Sequence, residues 1–263
     1  MLLRSQTVQY ALDEAIDLAG RTATAKIRTF VGLQALYSPA VQLSRKWVEE
    51  GYVGDILATT LVGSGISWTS PVARDAAYLF DGVSGANLVS VPVMHAVDAV
   101  NFVLGEFSSV SAMGAIKRRV IHVSDGGAPI TNKTPDHVTV AGKLDNGALA
   151  SIFFRGGVTR GQNLYNGSAG DIVMSSDVGN LQVADIELRV GRGTDRVTHA
   201  VSTDALSNSS SEFATGIGAN VLRMYGSIAR DIEMGTATVP DFAHAVRRHQ
   251  TLGAIEASMS RER

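Results

Sequence analysis

The chain has no cysteine in 263 residues, which excludes disulfides, iron–sulfur clusters and thiolate zinc sites and fits a reducing compartment. It also lacks an excess of either charge. Twenty-three Lys and Arg stand against 25 Asp and Glu, a formal net charge of −2, so no overall field attracts nucleic acid or an anionic membrane surface. The short basic runs Lys117-Arg118-Arg119 and Arg247-Arg248 read as solvated faces. No apolar run reaches the roughly 20 residues of a membrane span, and no basic region followed by an apolar core opens the chain. These absences lead us to expect a soluble, cytoplasmic protein without nucleic-acid or membrane partners. A nucleotide loop is missing as well. "GSGISW", "GRGTDR" and "GIGANV" each begin G-x-G, but none has the third glycine or the strand-to-helix setting that pyrophosphate binding requires. There is no Walker A sequence and no G-x-S-x-G elbow. His244 and His249 lie five apart, about 140° around a helix, which suits them poorly as joint metal ligands. His122, His137 and His199 stand alone on strands or loops and read as surface residues, so no metal is expected.

What remains is an ordinary globular composition, 45% apolar and 18% charged, organised as α+β. Apolar residues at 8, 11, 12, 15, 16 and 19 mark one helical face, with Gly20 as its stop. A short strand follows from Thr29 to Leu33. Ser38 and Pro39 then suit the N-cap and first position of a helix to about Glu50 that buries Val41, Leu43, Trp47 and Val48. Most of the middle reads as an antiparallel meander ("FSSVSAMGAI", "DHVTVAGKL", "ALASIFFRGG", "DIVMSS", "NLQVADIELRV"), with Asn146-Gly147 placed for a type I′ hairpin turn. The helix "VPVMHAVDAVNFVLGEF" interrupts it, opened by Pro92 and ended near Gly105. After a Ser-rich loop at about 192 to 212 come two late helices. One carries Ile217, Val221, Met224, Tyr225 and Ile228 on a face, and the other starts at Pro240 with Phe242, Val246, Leu252 and Ile255. The pattern predicts a large open, mostly antiparallel sheet with helices on one face.

One histidine suggests chemistry. His95 lies in the first turn after Pro92 and three residues before Asp98, so the two side chains share a helix face. There the helix dipole favours a neutral imidazole able to accept a proton. The competing reading is a structural histidine bonded to Asp98 or to backbone.

In order along nearly the whole chain, "VGLQALYSPAVQLSRKWVEEGYVGDILATTLVG", "GANLVSVPVMHAVDAVNFVLGEFSSVSA", "DHVTVAGKLDNGALASIFFRGG" and "PDFAHAVRRHQTLGAIEAS" resemble landmarks of the Gfo/Idh/MocA oxidoreductases, in their fungal galactose-repressor-like branch. The resemblance implies that residues 1–37 are the last helix and strand of a dinucleotide-binding domain and 38–263 a substrate and oligomerisation domain. Its large sheet would pair with a second copy. It further implies NAD or NADP as cofactor and a sugar, polyol or secondary-metabolite substrate. His95 matches the family's catalytic histidine, and Gln34, Tyr37 and Asp98 match positions on the substrate side of the cleft. The departures are specific. Val91 stands where the catalytic aspartate is expected, Val93 replaces a glycine, and Leu36 stands where relatives often carry arginine. The glycine-rich loop and the segment carrying the catalytic lysine would precede Met1, so tight dinucleotide binding by this chain is not expected. The chain reads either as truncated or as repurposed. The functional expectations are an oxidoreductase-family protein, a non-catalytic regulator or scaffold, or non-redox catalysis in a residual cleft.

Overall fold

The computed structural model describes residues 2–4, 12–157, 161–193, 195, 197–203 and 218–261. Strand β1 (Leu2–Arg4) pairs in parallel with β2 (Thr29–Val31), and helix α1 (Leu12–Thr24) connects them. Asp13 and Glu14 in the first turn of α1 and Arg21 in the last complement the helix dipole. Positions 8 and 11, expected on this helix, lie outside the described residues. Gly20 does not end it. The helix continues to Thr24 and the chain turns at Lys26, which takes a left-handed φ of 51°.

β2 stops at Val31, and a 3-10 turn (Gln34–Tyr37) leads into α2 (Pro39–Glu49). Pro39 opens α2 as expected, whereas the buried Ser38 makes no side-chain cap. A larger correction concerns Pro92. The Asn87 Oδ1 accepts the N–H groups of Val89 and Ser90, so helical structure begins ahead of the proline. A π-helical turn (Val89–Val93) then runs unbroken into α3 (Met94–Leu104). Every residue of α3 except Phe102 is buried. Gly105, at φ 101°, ends it where a Cβ would lie 2.4 Å from Asp145 Oδ1.

The main sheet is built from β3 (Ile56–Gly65), β4 (Phe107–Ala115), β7 (His137–Leu144), β8 (Leu149–Gly156), β9 (Gly161–Gly167), β10 (Gly170–Ser176), β11 (Glu187–Arg192) and β12 (His199–Val201). A small hairpin of β5 (Val120–Ile121) and β6 (Ile130–Thr131) stands apart. The order is β12-β11-β10-β9-β3-β8-β7-β4. All neighbours are antiparallel except β3 and β8. The expected meander is therefore split, with β3 inserted between β8 and β9. The β7–β8 turn also departs from expectation. A type I′ turn needs left-handed φ at both central residues, but here only Gly147 has it, at 92°. Gly147 N–H bonds to Leu144 O, and Asn146 is engaged through its side chain, donating to Leu104 O and accepting from Ala148 N–H.

One face of the sheet carries the core. Val138, Val140, Ile152, Phe154, Ile172, Met174 and Leu188 pack with Val41 of α2 and Val97, Val100 and Leu104 of α3. Burying side chains of this size contributes about 1.5–3 kcal/mol each. Tyr165 is fully buried and its hydroxyl accepts from Asn163 Nδ2 at 3.0 Å. The last helices, α4 (Ala219–Met234) and α5 (Phe242–Arg261), pack on the N-terminal unit and along the β4 edge. The opposite sheet face stays open. Leu149 and Met113 are 63% and 57% exposed there. Beside Leu149 runs a shallow groove of about 630 Å³ with small side chains on its floor, including Ala58, Thr60, Ser111, Ala141 and Ser151, and Lys143 as its charged member.

Candidate functional site

The 3-10 turn after β2, the middle of α3 and the start of α5 converge on one buried polar cluster. Gln34 is buried at the start of the turn and Tyr37 half-buried at its end. Burial pushes the Tyr37 hydroxyl up, with the Asp231 and Asp98 charges adding to the effect, so it stays protonated.

His95 is only 7% exposed, and its Nδ1 is buried without a hydrogen-bond partner. Burial lowers its pKa to about 4, partly opposed by the Asp98 charge. The imidazole is thus neutral, as the sequence suggested, but the cause is desolvation rather than the helix terminus, which lies further upstream. Val91, one turn before it, packs against the main apolar core.

Asp98 is 1% exposed and pairs elsewhere. Its Oδ1 takes the His244 Nε2–H at 2.6 Å and lies 3.5 Å from Arg248 Nε, while Oδ2 is unbonded. The His244 Nδ1 faces Arg247 Nη2 at 3.2 Å, an arrangement suited to an imidazole with its proton on Nε2. Arg248 reaches the carboxylate of Glu106, which also accepts from Asn101 Nδ2 at 2.7 Å. Burial raises the Glu106 carboxyl, but the Arg248 hydrogen bond and charge outweigh it and hold it below the usual range.

The structure therefore gathers Tyr37, His95 and Asp98 and adds Glu106 and Asn101, which sequence reasoning passed over, together with His244 and with Arg248, which was read as part of a solvated face but is 7% exposed. The available signal was the four-residue spacing of His244 and Arg248, which puts both on one face of α5. His244 had been weighed only against His249 as a metal ligand. Among the described residues no group of three His, Cys, Asp or Glu is placed to hold a metal ion. A dinucleotide is no better served. The connection between β1 and α1, residues 5–11, contains no glycine, and Gln34 and His95 are buried rather than arrayed on an open cradle. The residues present do not fit a pyrophosphate.

A family model described as Gal80p, C-terminal domain, matches residues 39–176. The galactose/lactose metabolism regulatory protein GAL80 of Kluyveromyces lactis is 27% identical over 206 residues, covering 71% of this chain and 45% of that protein. Dehydrogenase aclE of Aspergillus oryzae is 31% identical over 137 residues, covering 51% of this chain and 37% of that protein. The chain thus spans less than half the length of the curated relatives it matches. Among solved structures, a super-repressor mutant of Gal80p from Saccharomyces cerevisiae superposes with a TM-score of 0.86 at 20% identity, covering all of this chain and 71% of that one. That last likeness is one of fold. With the family model matching more than half of its length, the chain belongs to the family of the Gal80p C-terminal domain, within the wider Gfo/Idh/MocA oxidoreductase group.

Proposed function

We propose that this chain is a non-catalytic, self-associating regulatory domain built on an oxidoreductase scaffold. The observation that carries this reading is the state of His95. It is buried and neutral, with Val91 instead of a carboxylate one turn before it and Asp98 committed to His244. An imidazole that low in basicity, with its Nδ1 unbonded, is a poor proton carrier near neutral pH. In this reading residues 1–37 are a dinucleotide-domain remnant and 38–263 the ligand-side and assembly domain. Gln34, Tyr37, His95 and Asp98, the positions that the family resemblance puts on the substrate side of the cleft, would answer to a small sugar, polyol or secondary metabolite that is sensed rather than transformed. The open sheet face, on which Leu149 and Met113 are left exposed, meets a second copy. A cytoplasmic location accords with it: among the described residues no helix is long and apolar enough to cross a membrane.

A hydride-transfer assay with NAD or NADP and a panel of sugars and polyols tests the catalytic half. We expect no turnover above background. Turnover abolished by His95→Gln at unchanged melting temperature would overturn the reading in favour of the second one, an active dehydrogenase, which the identity to Dehydrogenase aclE favours. Light scattering tests the other half. Leu149→Lys on the open face is expected to convert an oligomer into a monomer with little change in melting temperature, and a wild-type chain monomeric at micromolar concentration would remove the assembly role.

A further inference from the structure

The joint between α3 and α5 holds more buried hydrogen-bonding capacity than it uses. Arg248 is 7% exposed and its Nη2 engages Glu106, yet its Nε and Nη1 make no hydrogen bond. Asp98 Oδ2 and Asn101 Oδ1 are equally buried and unbonded. Because Arg248 Nε already lies 3.5 Å from Asp98 Oδ1, a modest rotation of the guanidinium would set its fork on both Asp98 oxygens, the geometry that Arg–carboxylate pairs favour. Glu106, with its side chain 45% exposed, would then be solvated by water. One cation between two carboxylates has two discrete places to bind.

The other half of α5 touches the sheet. Ser258, ten residues or about 15 Å further along the helix, accepts the Ala112 N–H at 2.9 Å and lies 3.4 Å from Ala112 O. Ala112 belongs to β4, an edge strand of the sheet, and its neighbours Ser109, Val110 and Ser111 line the open-face groove. A helix moves as a rigid element, so a shift at its Arg248 turn reaches the groove through Ser258.

We propose that Arg248 is a two-position latch, on Glu106 or forked on Asp98, and that α5 carries its position to β4 and the open-face groove. Its regulatory meaning rests on the proposed roles of the cleft and the sheet face, whereas its test does not.

The measurement is residue-resolved amide hydrogen exchange on the full chain, read at Ala112 relative to Val140 opposite it in the ladder. Asp98→Asn removes the fork's anchor and holds Arg248 on Glu106, so Ala112 exchange should slow by about tenfold. Glu106→Gln favours the fork and should speed it by a similar factor, which keeps the test alive if the buried Asp98 variant does not fold. Both effects should vanish in a Ser258→Ala background. Unchanged exchange at Ala112 in the folded variants would overturn the latch, as would effects that persist without the Ser258 hydroxyl. Should the chain prove monomeric while these shifts appear, the assembly reading fails and the latch stands.

Discussion

Two buried ionisable groups in this molecule are handled in opposite ways. Asp231, near the end of α4, is 1% exposed and saturated. Its carboxylate accepts from Thr236 Oγ1, Thr238 N–H, Thr238 Oγ1 and Val239 N–H, and Arg28 binds the carbonyls of Asp231 and Thr236. Burial alone would push this carboxyl up, but those hydrogen bonds outweigh it and bring its pKa to about 2. His95 is also buried, at 7% exposed, but its Nδ1 is orphaned and its pKa lies at about 4 through desolvation. The first group defines a loop. The second leaves a buried ring nitrogen without a hydrogen-bond partner, the contrast on which the proposed loss of catalysis rests.

The sharpest way to break this contrast is substitution at Asp231. Asp231→Ala strands four donors around the α4–α5 connection and should lower unfolding free energy by about 3 kcal/mol or more, read as a lower denaturant midpoint with an unchanged slope. A loss below about 1 kcal/mol would show that water replaces the carboxylate easily and that the saturated cluster is incidental.

Acid titration should separate the two groups next. The folded pKa of His95, about 4, lies below its unfolded value of about 6.5, so the unfolded chain takes up the proton first. Stability therefore falls as pH drops from about 6.5 to about 4 and loses nothing further through this group below that. For Asp231 the folded value of about 2 lies below an unfolded value of about 4. Its contribution is fully present above about 4 and is lost as pH falls towards 2. Melting temperatures across pH 7 to 2 should show two successive declines, the upper one missing in a variant without His95.

Much of the fold was legible because it is encoded locally. The spacing of Val41, Leu43, Trp47 and Val48 gave α2, Pro39 gave its start, and the alternation in "DHVTVAGKL" and "ALASIFFRGG" gave the β7–β8 hairpin. The central place of β3 was not legible, since its parallel partner β8 lies some 90 residues away and no periodicity reports a partner. Pro92 misled because a proline is tolerated inside a π-helical turn as well as at a helix start. In the candidate site the i, i+3 spacing rightly put His95 and Asp98 on one face. It could not reveal that His244, 146 residues later, takes Asp98 away.

The smallest expected effect is also the most discriminating. His95→Phe replaces a buried imidazole with a somewhat larger apolar ring. If the imidazole does nothing for the fold, the change removes an unpaired buried nitrogen and the desolvation cost that goes with it, and stability at pH 7 should stay level or rise by about 1 kcal/mol. Nearby Asp98 should keep its place, because its hydrogen bond runs to His244 and its ion pair to Arg248 rather than to His95. The same variant should flatten the decline between about pH 6.5 and 4, so at pH 5 it becomes more stable than the wild type by a larger margin than at pH 7. Thermal melts at those two pH values check both statements at once. A variant less stable than wild type at both would mean that His95 holds a hydrogen bond the fold depends on, and the contrast with Asp231 would then be one of degree.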